Sequence, residues 1–305
     1  MWLVLAFVSA FLLGCYDSFK KKALSNNAVL PVLFLNTFFS SLFFLPLVLL
    51  SHFTTLLDAS IFHVAECGWD EFKFILLKSC LVLSSWLFGY FGIKHLPLTI
   101  VGPINSTRPV MVLLGAFLIF GERLNLWQWI GVLLAIISFF MLSKSGKKEG
   151  IDFKHNIWIF FIVISALLGA FSGLYDKYLM APPSNGGVGL DKMAVQSWNN
   201  FFQCIMMLIV LVLLRKKDQG YFSTLNWHWS IPMVSLFLSV ADFVYFYALS
   251  VPGAMISIIS MIRRGSVIVS FLFGAIFFYE KNLRSKAIDL FLVMLGMLFL
   301  YIGSR

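Results

Sequence analysis

Arg108 and Arg263 are the residues of this 305-residue sequence whose placement most needs a chemical reason. Each lies about eleven residues into a long apolar run, and each follows a proline by eleven positions, Pro97 in one case and Pro252 in the other. A guanidinium at the centre of a membrane-buried helix costs roughly 2.5–3.5 kcal/mol on insertion scales. Neither is close enough to a run's end for its stem to carry the charge to the interface. Both are therefore expected to face a bundle interior or a watery cavity, where the guanidinium fork suits a carboxylate or a phosphate. The alternative is an internal ion pair, with Asp242 in mid-run neutralising Arg263 or Arg264. Arg108 has no mid-membrane carboxylate in its own half of the sequence.

The segment "PINSTRP" ends one residue after Arg108, and Pro97, Pro103 and Pro109 mark the same run. Proline removes a backbone donor and kinks a helix. Carbonyls freed at membrane depth are tolerated where they line protein or a cavity. Asn105, with Ser106 and Thr107, is thus a candidate lining group, unless the kink serves packing alone. Asn36, Asn199 and Gln203, with Trp198 and Asn200, give the second and seventh runs polar or aromatic faces. They can contact substrate or hydrogen-bond between helices, the latter worth about 0.6 kcal/mol per pair. Trp86 and Tyr245, with Tyr247, are either substrate-stacking rings or packing aromatics. Asp17, Asp176 and Asp242 are the coupling candidates, because burial can raise a carboxylate toward a neutral pKa. Glu122 and Glu280 sit at turns beside Arg123 and Lys281 and read as capping or paired turn residues. Gly169 and Gly173 form a GxxxG, which permits close helix approach.

No enzymatic constellation accompanies these groups. The five histidines show no HExxH spacing, and neither a Walker A loop nor a nucleophile elbow is present. The four cysteines show no ligand spacing, so neither metal nor cofactor is expected.

The elements that must position these residues follow from composition. Of all residues 60% are hydrophobic and 12% charged, whereas a soluble domain carries roughly 25% charged. A water-facing surface cannot be made from half that amount, so most of the chain must face lipid. Apolar runs long enough to span recur about ten times. They cover 2–19, 30–50, 72–93, 98–120 and 126–142, then 158–179, 193–214, 229–249, 254–278 and 285–302. Lipid cannot hydrogen-bond a backbone, so the runs must be helices, and the fold class is an all-α integral membrane protein. The net charge of +9 sits mostly in short clusters between runs, such as Lys20–Lys22 and Arg215–Lys217. That is interfacial charge beside a bilayer rather than a nucleic-acid surface.

The polar break "SKSGKKEGIDFKHN" divides the chain nearly in half, giving units 1–143 and 157–305 around a linker at 144–156. The halves repeat each other in order. "NTFFSSLFFLPLVLL" matches "NNFFQCIMMLIVLVL", "GCYD" matches "GLYD", the proline–arginine spacings agree, and "FGERL" matches "FYEKNL". Five spans per half make the second half inverted, a plan that places substrate near the midplane between halves. "FGERLNLWQWIGVLL" followed by a basic linker resembles the EamA-type branch of the drug/metabolite transporter superfamily. "FYEKNLRSKAIDLFLVMLG" is similar but lacks the usual Gly after its Glu-containing turn. Gly14 and Lys21 are similar to the family's Gly-then-Lys pattern in the first helix, Gly169 and Lys177 less so. The resemblance implies a transporter without fixing its substrate.

The expected function is secondary-active transport of a small anionic or zwitterionic metabolite across the inner membrane, with proton or cation coupling left open. The rivals are a broad amino-acid or drug exporter with structurally paired arginines, an intramembrane lipid-modifying enzyme and a non-transporting scaffold. Orientation has two opposed warrants. Loops before the even-numbered runs hold most Lys and Arg, and His52–Glu71 holds none, which puts both termini outside the cytoplasm. The family resemblance implies both inside.

Overall fold

The computed structural model of the chain describes residues 2–108, 110–111, 125–147, 151, 153–180, 182–183, 186–215, 225–250, 259, 262–278 and 283–303. Ten helices and no strand occur among them. They are α1 Trp2–Leu24, α2 Val29–Phe53, α3 Trp69–His95, α4 Leu98–Ser106 and α5 Leu126–Lys147, then α6 Ile157–Met180, α7 Lys192–Arg215, α8 Ser230–Ser250, α9 Ser266–Phe277 and α10 Leu283–Gly303. Seven of the ten are long and apolar enough to cross a membrane. The chain is a multi-pass membrane protein.

α1, α2, α3 and α5 overrun the expected spans by about a turn in all, because charged and polar ends continue the backbone ladder past the apolar stretch. α5 continues to Lys147, into the stretch read as linker. Only the first nine residues of the fourth run form α4, and the rest of that run lies largely outside the described residues, as do Pro109, Glu122, Arg123, Pro252, Glu280 and Lys281.

Lipid tails are as apolar as leucine, so helices associate through small residues and interhelical hydrogen bonds rather than through an oily core. The inward face of α1 accordingly holds Ala6, Ser9, Ala10 and Gly14, while Val4, Phe7 and Phe11 are exposed. Gly14 admits α9 so closely that a Cβ there would collide with Val269 and come 2.9 Å from the Ser266 carbonyl. Trp69, Trp127 and Trp229 stand exposed near helix starts, where amphipathic rings suit the headgroup layer.

The principal contacts run between the first five helices and the last five. α1 packs on α8 and α9, α3 on α6 and α7, α2 on α7 and α8, α4 on α9, and α5 on α10. Buried hydroxyls fasten these seams. Ser9 donates to the Ala241 carbonyl at 2.7 Å, and Ser85 and Ser165 donate to each other's carbonyls at 2.8 and 2.7 Å. Asn36 and Asn199 close two seams in the same way. Ser235 Oγ lies 3.0 Å from both the Asn36 carbonyl and its Oδ1, and Ser79 Oγ lies 2.9 Å from Asn199 Oδ1.

Two helices break beside their arginines. α4 ends at Ser106, the Thr107 amide turns back to the Ile104 carbonyl at 3.1 Å, and helical hydrogen bonding resumes at Met111 to Thr107. Ahead of α9, Gly265 makes a turn whose amide reaches the Ile262 carbonyl at 2.8 Å. Proline at position 109 cannot supply the amide that would continue α4.

Candidate functional site

A cavity of about 270 Å³ lies at the centre of the bundle, walled by α1, α3, α4, α6, α7, α8 and α9. It gathers Arg108, Arg263, Asn105, Asn199, Trp86 and Tyr245, and it also takes in Asp17, Asp176 and Asp242. Asn36 and Gln203 are not part of its wall. Asn36 is fully buried at the α2–α8 seam, and the Gln203 amide points to Asn199 Oδ1 at 3.4 Å. Ser106 reaches the wall but spends its hydroxyl on the Gly102 carbonyl, and Thr107 is turned onto its own helix. Tyr247 stacks on Phe243 away from the cavity.

Each carboxylate in the cavity holds one cation. Asp242 on α8 accepts from Arg263, whose guanidinium lies 4.1 Å above the Tyr245 ring. Asp17 accepts from Lys20 one turn along α1 at 2.7 Å, and Lys20 also sits over the Tyr16 ring at 4.0 Å. Asp176 on α6 accepts from Lys78 on α3, a lysine only 5% exposed. Arg108 and Arg264 also line the cavity and have no carboxylate partner among the described residues. Arg108 donates to Asn105 Oδ1 at 3.2 Å, and its Nε is buried without a hydrogen-bond partner. Among the described residues, the cavity therefore holds five cationic side chains against three carboxylates.

Two sequence readings are corrected by the structure, and one residue is added. Lys20–Lys22 do not act together as interfacial charge: Lys20 is buried in the cavity, and Lys21 donates to the Ile93 and Leu96 carbonyls at 2.6 Å, tying off the end of α3. Successive helical residues point about 100° apart, so a run of three lysines cannot share one environment. Gly169 and Gly173 do not bring two helices together. A Cβ at Gly169 would come 2.6 Å from Arg108 Nη1, whereas Gly173 faces open space. Gly169 is the floor on which the Arg108 guanidinium rests. Lys78 was not singled out at all, although a lysine in the interior of an apolar run is the same signal that marked Arg108.

A bundle with an apolar outer face and a charged cavity among its helices defines a polytopic membrane protein. Residues 1–144 match the EamA-like transporter family. It is similar to an uncharacterized transporter of Archaeoglobus fulgidus, with 24% identity over 287 residues that cover 92% of this chain and 90% of that protein. A solved crystal structure has the same fold at TM-score 0.63 and 10% identity, over 99% of this chain and 97% of that one. The family and the relative are both named as transporters.

Proposed function

We propose that the chain is a secondary-active carrier, not an enzyme, that moves a small anionic or zwitterionic metabolite across the inner membrane by alternating access. The carrying observation is the cation surplus of the central cavity, in which Arg108 presents a guanidinium with a buried, unpartnered Nε. In this reading Arg108 takes the acidic group of the substrate. Arg263 joins it when the substrate displaces Asp242, so the Arg263–Asp242 pair exchanges one carboxylate for another. Asp17 and Asp176, each holding a lysine, are the remaining coupling candidates.

Alternating access needs two stable arrangements around a fixed site, which inverted repeats supply. An inverted five-plus-five plan is supported by the contacts themselves. Exchanging each helix for the one five places along turns the α1–α8 contact into α6–α3 and the α2–α8 contact into α7–α3. The Asn36–Ser235 and Asn199–Ser79 hydrogen bonds exchange in the same way. The broken helices at Thr107 and Gly265 are the elements that would move, since their backbones are interrupted at cavity depth.

A second reading, a broad exporter whose arginines are structural, draws support from the Arg263–Asp242 pair. Arg108→Lys and Arg263→Lys separate the two. A lysine keeps the charge and loses the fork, so substrate contact predicts weaker anion binding, by about tenfold or more, with the ligand-free melting temperature nearly unchanged. If both variants melt much lower yet bind normally, the arginines are structural and the anionic reading fails.

A further inference from the structure

We propose that the cavity is built for a compact dianion and that Arg264 sets the preference for two negative charges over one. The proposal rests on the reading of this cavity as the substrate site. Its basis is the charge inventory of the wall. The three carboxylates are engaged, by Lys20, Lys78 and Arg263, and two guanidiniums, Arg108 and Arg264, are left over among the described residues. Arg264 is half-buried in the wall and lies within the electrostatic reach of both Arg108 and Arg263. Like charges in a cavity with low-dielectric walls repel strongly, so the surplus is least costly when an occupant brings its own negative charge. A monoanion leaves one guanidinium uncompensated. A dianion balances the surplus of two, whichever of the arginines it pairs with.

Size sharpens the class. The cavity of about 270 Å³ is near the small end of ligand pockets, which suits a short dicarboxylate or a small phosphate monoester. The two chemistries share the feature that matters, a second negative charge within one small molecule. Arg264 follows Arg263 directly, ahead of the Gly265 turn, so both sit where the helix is interrupted. One of the two is held by Asp242 and the other is left for the ligand.

The test uses the purified full-length chain and two matched probe pairs, succinate with its monomethyl ester and methyl phosphate with dimethyl phosphate. Binding is measured by calorimetry near pH 7.5 for wild type, Arg264→Gln, Arg264→Lys and Arg108→Gln. In at least one pair the dianion should bind wild type about tenfold to a hundredfold more tightly than the monoanion. Arg264→Gln should bring the dianion down to the monoanion's level while leaving the monoanion within about threefold. Arg264→Lys, which keeps the charge, should retain part of the preference and guards against a folding defect in the glutamine variant. If monoanions bind through Arg108 and the dianions gain nothing, or if Arg264→Gln leaves the preference intact, the dianion proposal fails alone. If none of the four probes binds wild type, it fails together with the anionic reading.

Discussion

Gly169→Ala is expected to leave the bundle intact and weaken the anion site. The added Cβ would stand 2.6 Å from Arg108 Nη1, 2.7 Å from Cζ and 3.1 Å from Nε, where ordinary contact begins near 3.4 Å. The guanidinium must therefore retreat by about 0.8 Å, which is large against the few tenths of an ångström over which a hydrogen bond keeps its geometry. The atoms that must move are the tip of a flexible side chain, so the α4–α6 contact is not forced apart. Alanine is also favoured over glycine in a helix interior by about 0.8–1.0 kcal/mol. Melting temperature without ligand should accordingly hold or rise. Anion affinity should fall by about tenfold or more, the equivalent of one charge-assisted hydrogen bond of roughly 1.5–3 kcal/mol. Differential scanning fluorimetry and calorimetry on the same preparation read both quantities. Affinity within about twofold of wild type would refute the placement of Arg108 over Gly169 as a functional seat. A large drop in melting temperature would show instead that the seat is structural.

Two further expectations follow from the charged groups and the loop thiol. Lys78→Met should destabilise the protein by about 3–5 kcal/mol, because it strands the Asp176 carboxylate in the cavity wall. The double variant with Asp176→Asn should recover most of that loss in a thermal-unfolding cycle, and a single Lys78→Met as stable as wild type would sink the account. In the α2–α3 loop, burial and the nearby Glu71 and Asp191 carboxylates push the Cys67 thiol up to about 11. Its modification should therefore run about a hundredfold below that of a free thiol at pH 8 and keep rising tenfold per pH unit beyond pH 9. A cysteine introduced as Ser60→Cys should level off near pH 9. It also reports orientation: labelling of intact cells by an impermeant reagent puts the loop and both termini outside, and protection places them inside.

Sequence by itself determined that this chain is a bundle of membrane helices, because a backbone in lipid must satisfy its own hydrogen bonds and the apolar runs leave no other solution. It also singled out Arg108 and Arg263, since a guanidinium at membrane depth is costly whatever surrounds it. The order and spacing of "GCYD", the paired asparagines and the proline–arginine intervals were legible as well, being linear facts. Which way each residue faces was not legible. Lipid and protein interior are equally apolar, so hydropathy does not mark the inner side of a helix as it does in water. Helix rotation therefore decided that Lys20 enters the cavity while its neighbour Lys21 caps α3. Packing between elements far apart in the chain decided the rest. Lys78 meets Asp176 across 98 residues, Asp242 takes Arg263 rather than Arg264, and Gly169 becomes the floor for Arg108 instead of a helix-crossing point. Pairings of this kind depend on where two helices touch, and only the folded bundle brings those contacts into being.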